Sequence, residues 1–389
     1  MKRLTILWLL LAQAAFAQGG EVLSYSATAS VLTCGAGEEM YTTFGHSAIR
    51  ITDPERGIDY VYNYGTFDFD TPHFYRKFML GRLDYKLSRT TFKHFMEEYR
   101  AEGRAVWEQP LCFEAQQIDN LYILLENNLL PEYRYYRYDF FRDNCATRVR
   151  DVVYSAWAMD TLLQRQEKPR SYRRLVADNL KGTMEWWRLG IDILFGLPAD
   201  HRCNATERMF LPLEMMAEYA QTGTSGVWVG PGMVEEAAPL LAENRPPVSR
   251  NNSAMGVFGL LFAAIGILTV LARKSAGVRT ALRYVDRLLF IVAGLLGLFL
   301  LFMWFGTEHY CTQWNLNILW ASPLLLLIAI RLERSPRWAL WLQMGCFVVA
   351  LVWVFACGLS PALIPIILML ALRVGCRVPK RLQLPQQPR

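Results

Sequence analysis

Apolar residues are spread very unevenly along the 389-residue chain. Residues 1–17, MKRLTILWLLLAQAAFA, have a basic start (Lys2, Arg3), a short apolar core and the small-x-small ending Ala15-Phe16-Ala17. That pattern predicts a secretory signal peptide cleaved before Gln18, and the core is too short to favour an uncleaved anchor. From there the pattern is that of a domain in water. Residues 22–32 and 47–52, with a return at 58–64, read as early strands and a hairpin. Helical spacing follows at 72–79, 91–102, 115–127 and 146–159. Strands first and helices later predict an α+β domain. Beyond Ser253 the chain becomes a series of apolar runs, at 255–272, 288–305, 318–330, 338–357 and 359–374. Five membrane-spanning helices are predicted, although some runs fall short of the ~20 residues of a full span. The expected order is therefore 1–17 signal peptide, 18–223 exported domain, 224–252 linker rich in Gly and Pro, 253–376 all-α transmembrane domain and 377–389 cytoplasmic tail.

Charge supports the spans and orients them. The loop 273–287 carries five Lys/Arg and the loop 331–337 three, and five more follow from Arg373 to Arg389. Loops 306–316 and 358–361 carry none. The positive-inside rule puts the basic loops and the C-terminus in the cytoplasm and the N-terminal domain outside, in agreement with the signal peptide. The net charge of +6 arises in these loops and requires no nucleic-acid partner.

Two short stretches of the exported domain carry candidate chemistry. Phe44-Gly45-His46-Ser47 puts a histidine at the start of a strand, and Asp143-Asn144-Cys145-Ala146 puts a cysteine in the first turn of a helix capped by Asp143 or Asn144. A thiol there meets the positive end of the helix dipole, with Arg142 and Arg148 nearby, and all three favour the thiolate. An acyl-transferring cysteine needs a base and a group that orients the base. If Ile51 faces Ile58 across the hairpin, Asn63 lies opposite His46; a slip of one residue presents Tyr64 instead. Taken alone, His46 reads first as a plain strand histidine, and Cys145 equally as a structural thiol or a disulfide partner. The outside cysteines Cys34, Cys112, Cys145, Cys203 and Cys311 are odd in number, with Cys34–Cys112 a candidate bridge. His73, His94, His201 and His309 lack zinc-ligand spacing, and no cofactor is indicated. Residues 182–197, with Trp186 and Trp187, read either as an interfacial helix or as a buried one.

Strand histidine before helix-start cysteine is the reverse of the papain order and resembles the circularly permuted NlpC-type fold, which the lecithin–retinol acyltransferases share. More closely, FGHSAIRI, YVYNYGTFDFDTP, GRLDYKLS, EGRAVWEQ, YYRYDFFRDNCATRVRD and FLPLE resemble the periplasmic domain of the Lnb-type lipoprotein N-acyltransferases. The spans with WNLNILWASPL resemble that family's five-helix membrane domain. The resemblance implies a papain-like exported domain that takes an acyl group from a membrane phospholipid to the N-terminal amine of a diacylglyceryl lipoprotein. It implies Cys145 as nucleophile and His46 as base. Asn63 is the expected orienting residue, and Tyr138, Asn144 and Arg148 are expected around the oxyanion and substrate. Two rivals remain at this point: a membrane-anchored NlpC-type amidase or peptidase acting on cell-wall peptides, and a non-catalytic lipid-binding scaffold.

Overall fold

The computed structural model describes residues 23–39, 42–157, 169–180, 184–221, 233–244 and 253–378. The expected signal peptide lies outside these residues, as does the tail beyond Val378. The described residues form two compact units. The first draws on Met1–Phe74, Leu83–Glu167 and Asn204–Pro246, the second on Tyr75–Arg82, Lys168–Cys203 and Pro247–Arg389. Two pieces that chain order places in the exported stretch thus group with the membrane half.

The chain opens with strands β1 (Thr28–Cys34), β2 (His46–Asp53) and β3 (Ile58–Thr66), then helix α1 (Phe74–Met79). Strand β4 (Asp84–Thr91), helix α2 (Phe92–Ala101), strand β5 (Val106–Pro110), helix α3 (Ala115–Leu129) and strand β6 (Tyr135–Arg137) follow. Next come helices α4 (Cys145–Trp157), α5 (Tyr172–Asn179), α6 (Glu185–Leu194), α7 (Ala205–Arg208) and α8 (Pro212–Tyr219), with strand β7 (Ala238–Leu241) after them. The last helices are α9 (Ala254–Leu271), α10 (Ala276–Phe305), α11 (Leu324–Ile330), α12 (Arg337–Cys357) and α13 (Leu363–Gly375).

The first unit is built on one antiparallel sheet in the order β6-β4-β3-β2-β1-β5-β7. Its two faces are both covered. Val31, Ile49, Ile51 and Tyr62 pack with Leu121 and Leu125 of α3 and Val149 and Val153 of α4. Leu32, Ala48 and Val61 pack with Phe95 and Tyr99 of α2. Only the first three strands are visible in the apolar pattern, and β1 starts at Thr28 rather than residue 22, because Ser24 turns back to bond Asp53 through its amide and hydroxyl at 2.7 and 2.6 Å. The expected linker is also not free of structure. Its residues Ala238–Leu241 pair with β5 as the edge strand β7, a four-residue apolar run too short to stand out among Gly and Pro.

The second unit contains the apolar helices. α9, α10 and α12 are long and apolar enough to cross a membrane. Residues Tyr310–Leu319 and Leu324–Ile330 make a pair bent by 40°, and α13 is a shorter apolar helix. The bend frees backbone carbonyls that other groups cover, Gln343 Nε2 donating to that of Leu319 and the Gly196 amide to that of Cys311, both at 2.9 Å, while side chains of the same stretch cap the end of α6. Asn315 Nδ2 donates to the carbonyls of Ile193 and Leu194 at 2.8 and 2.9 Å, and Asn317 Nδ2 to that of Asp192 at 2.8 Å. Those acceptors lie at the end of α6, which explains why this piece belongs with the spans. Buried charges reinforce it: Arg173 bonds Asp192 at 3.0 Å and Asp200 at 2.6 Å, and Asp192 accepts the Ser360 amide at 2.8 Å. At the other end of the bundle Asp286 of α10 pairs with Arg373 and Arg377. Two of the cations that read as loop charges therefore tie α10 to the end of α13.

Candidate active site

The β2–β3 hairpin positions the histidine. Asp53 pairs with Ile58 and Ile49 with Tyr62, two residues out of the register in which Ile51 would face Ile58. The tight turn Pro54–Gly57, with Gly57 at φ +66°, shortens the loop and sets this register. A shift of two residues keeps every side chain on its own face, whereas a shift of one would invert them. Asn63 consequently remains on the face of His46, as a diagonal neighbour. His46 Nε2 and Asn63 Oδ1 lie 3.1 Å apart. Tyr64, the alternative, points elsewhere and accepts from Asn128 Nδ2 through its hydroxyl at 2.7 Å.

Beyond Tyr62 the strand leaves its ladder. The β3–β4 register shifts between Asn63 and Thr66, and Gly65 within this bulge sits at φ +87°, where a side chain is strained. Cys145 occupies the space so opened: a Cβ on Gly65 would stand 3.3 Å from Cys145 Cβ. The backbone N–H groups of Ser47, next in chain to His46 and past the last β2–β3 pair, of Cys145 and of Ala146 favour the charged form of the Cys145 sulfur. Cys145, His46 and Asn63 are thus collected at one end of the sheet. The histidine and asparagine come from the hairpin, and the cysteine from the first turn of α4.

Asn144 is the cap that fixes this turn. Its Oδ1 accepts the amides of Ala146 and Thr147 at 2.9 and 3.0 Å, and its Nδ2 donates to the carbonyls of Phe140 and Phe210 at 2.8 and 2.9 Å. Both amide hydrogens are committed, so Asn144 has no donor left for an oxyanion. Arg148 forms a two-pronged pair with Asp143, with Nη2 at 2.7 Å from Oδ2, and lies 4.1 Å over the Tyr136 ring. Arg142 pairs with Asp139 at 3.4 Å. The expected thiolate, held by the helix dipole and these two arginines, is accordingly corrected. Burial pushes the Cys145 thiol up, and the amides of Ser47, Ala146 and Cys145 offset this only in part. Burial likewise lowers His46 to about 4, against the raising effect of Asn63. Both shifts favour the neutral forms, thiol and imidazole.

Three residues of the site escaped the sequence. Gly65 was readable in principle, since a glycine inside a strand marks a bulge or a close approach. Arg104 was not. It is buried, donates to the Gly35 carbonyl at 2.9 Å, and its charge lowers both Cys145 and His46. Tyr136 is the third. It is 8% exposed, and its hydroxyl has no hydrogen-bond partner among the described residues. That hydroxyl lies 3.8 Å from the Gly65 Cβ position, beside Cys145. Tyr138 also feels the Cys145 charge but stacks on Tyr85 with ring centroids 4.5 Å apart.

The candidate Cys34–Cys112 bridge is absent. Both thiols are free, and the register that pairs Ser30 with Pro110 puts Cys112 near Thr28, at the opposite end of β1 from Cys34. Six strand residues span about 20 Å, far beyond disulfide reach. Among the described residues no group of three or more His, Cys, Asp or Glu is arranged to hold a metal ion.

Family models place this architecture. The Lnb N-terminal periplasmic domain matches residues 20–178, and the Lnb transmembrane domain matches residues 250–383. No curated protein and no solved structure matches the chain. The two family domains fall in order on the α+β unit and on the apolar helices, and the chain belongs to the Lnb-type family of membrane proteins with a periplasmic N-terminal domain.

Proposed function

We propose that this protein is a membrane-bound lipoprotein N-acyltransferase that carries an acyl group on Cys145. The acyl donor in this reading is a membrane phospholipid and the acceptor is the N-terminal amine of a diacylglyceryl lipoprotein. The carrying observation is Cys145, whose Cβ stands 3.3 Å from the Gly65 Cβ position in the β3 bulge, on the same domain as a histidine that Asn63 holds at 3.1 Å. Its setting in a periplasmic domain followed by apolar helices favours acylated substrates, because a tethered catalyst meets them within the bilayer plane.

In this mechanism His46, neutral at rest, takes the thiol proton as Cys145 Sγ attacks an ester carbonyl of the phospholipid. The tetrahedral oxyanion receives the amides of Ser47 and Cys145 together with the Tyr136 hydroxyl. Collapse breaks the ester C–O bond, and the imidazolium returns its proton to the departing lysophospholipid oxygen, leaving a thioester. The lipoprotein amine then attacks this thioester, His46 accepts the amine proton, and the sulfur leaves and is reprotonated. Asn63 keeps the ring oriented through both halves. In this reading the domain faces the periplasm, and the thirteen Lys/Arg that follow the first and third apolar runs and continue from Arg373 onward support a cytoplasmic C-terminus.

Purified full-length protein incubated with acyl-labelled phospholipid is expected to form a hydroxylamine-sensitive adduct on the Cys145 peptide. Equal labelling of Cys145→Ala would sink the covalent route. Lipoprotein N-termini from cells lacking the protein and any other N-acyltransferase are expected to carry free amines by mass spectrometry.

A further inference from the structure

We infer that the segment Tyr75–Arg82 is a membrane-docking element whose partner is the phospholipid surface of the outer leaflet. In sequence it lies between β3 and β4 of the periplasmic domain, yet it belongs to the unit of the apolar helices. Its position there is set by the loop that follows α10. The Glu308 amide donates to the Leu80 carbonyl at 2.9 Å, His309 Nε2 lies 3.1 Å from the Phe78 carbonyl oxygen, and Arg82 Nε bonds Glu308 at 2.8 Å. Gly81 permits the approach: it sits at φ +70°, and a Cβ there would stand 3.1 Å from the His309 amide nitrogen.

That loop lies at the bilayer's periplasmic boundary. α9 leaves the periplasmic side and α10 returns the chain to it, so Gly306 and the residues after it emerge there. Aromatic residues mark the level. Trp304 stacks on Phe305 and meets Trp314, with centroids 4.6 and 4.9 Å apart, and Phe305 and Trp314 are 73% and 59% exposed. Such side chains collect where hydrocarbon gives way to headgroups.

The pinned segment has the chemistry of that layer. Tyr75, Phe78 and Met79 follow helical i, i+3, i+4 spacing on one face of α1, and they are 81%, 44% and 46% exposed. Arg76, exposed, flanks that face. An apolar face edged by a cation, held at the end of a span, suits acyl chains below and lipid phosphates beside them. A soluble protein partner would lack the level-setting aromatic loop as a reason for this placement. The inference stands independently of acyl transfer.

The test uses the full-length protein in phospholipid nanodiscs doped with a phospholipid carrying a diazirine near its acyl carbonyl. After irradiation, mass spectrometry is expected to find lipid adducts on Tyr75, Phe78 or Met79 as well as on α10. The combined Tyr75→Ser, Phe78→Ser, Met79→Ser variant is expected to lose the adducts on this segment and keep those on α10. Adducts on α10 with none on residues 75–79 of the unsubstituted protein would overturn the inference. So would labelling of these residues by a water-soluble carbene source, or their cross-linking to a second copy of the chain.

Discussion

Cys145 Cβ stands 3.3 Å from the point where a side chain on Gly65 would begin. The seat of this cysteine therefore depends on a missing methyl group in a neighbouring strand. Gly65 also holds φ +87°, a conformation that costs an alanine roughly 1–2 kcal/mol. Gly65→Ala is expected to lower the melting temperature modestly and acyl-adduct formation severely, because the new Cβ displaces Cys145 from the Ser47 amide. Thermal unfolding beside adduct yield separates the two effects. Unchanged adduct yield would show that the bulge does not position the sulfur.

Tyr136 offers a sharper test of the oxyanion site. Its hydroxyl is buried without a protein partner beside Cys145, and such a group costs stability unless something else uses it. Tyr136→Phe removes one donor and nothing else. Acylation is expected to slow by about 10²–10³-fold, the usual cost of one oxyanion donor, with melting temperature unchanged or slightly raised. Tyr138→Phe, whose ring is stacked on Tyr85, is expected to act far less. Single-turnover acylation rates for the two variants compare them directly.

How far the sequence reveals this site depends on the range of the interactions involved. His46 and Cys145 were legible because a strand start and a capped helix start are local features. Asn63 was legible for a subtler reason: the hairpin closes two residues away from the expected register, and face parity survives an even shift. Arg104 and Tyr136 were not legible. Arg104 acts on the site from two residues before a strand, β5, that pairs with β1 far from it in sequence, and Tyr136 lies in a strand of three residues. Half-buried strands such as β4, with charged outward positions, carry no apolar alternation strong enough to mark them. The grouping of α5 and α6 with the spans is likewise a long-range fact, made by Asn315 and Asn317 reaching carbonyls more than a hundred residues away.

Burial of His46 sets the pH response, and Asn63 opposes it. His46 is lowered to about 4, below the unfolded value near 6.5, so the unfolded chain takes up this proton first as pH falls. The stability this residue contributes is complete above about pH 6.5 and declines through the window down to about pH 4. The acid limb of the acylation rate is expected near the lower end of that window. Asn63→Asp puts a carboxylate against the ring, favours imidazolium and raises its pKa by roughly 1–3 units. The acid limb then moves to higher pH by the same amount. A pH–rate profile of adduct formation reads the shift, and a profile unmoved by Asn63→Asp would mean that His46 is not the base.

Arg104 tests the electrostatics from the other side. Its guanidinium lowers both the thiol and the imidazole, so replacing it with the uncharged Arg104→Met moves both groups upward. For Cys145 the loss makes the thiolate rarer at neutral pH; for His46 it makes the ring easier to protonate. At neutral pH the ring stays unprotonated, so its greater basicity opposes the loss of thiolate, and the acylation rate sums two opposed effects. They separate when the thiol is followed alone. Alkylation of the Cys145 peptide by iodoacetamide, quantified by mass spectrometry across pH, is expected to reach its midpoint at higher pH in Arg104→Met than in the parent. Arg104→Lys keeps the charge and is expected to restore most of the difference, whereas a purely structural role, resting on the bond to the Gly35 carbonyl, would leave the alkylation midpoint of the folded protein unmoved by either change.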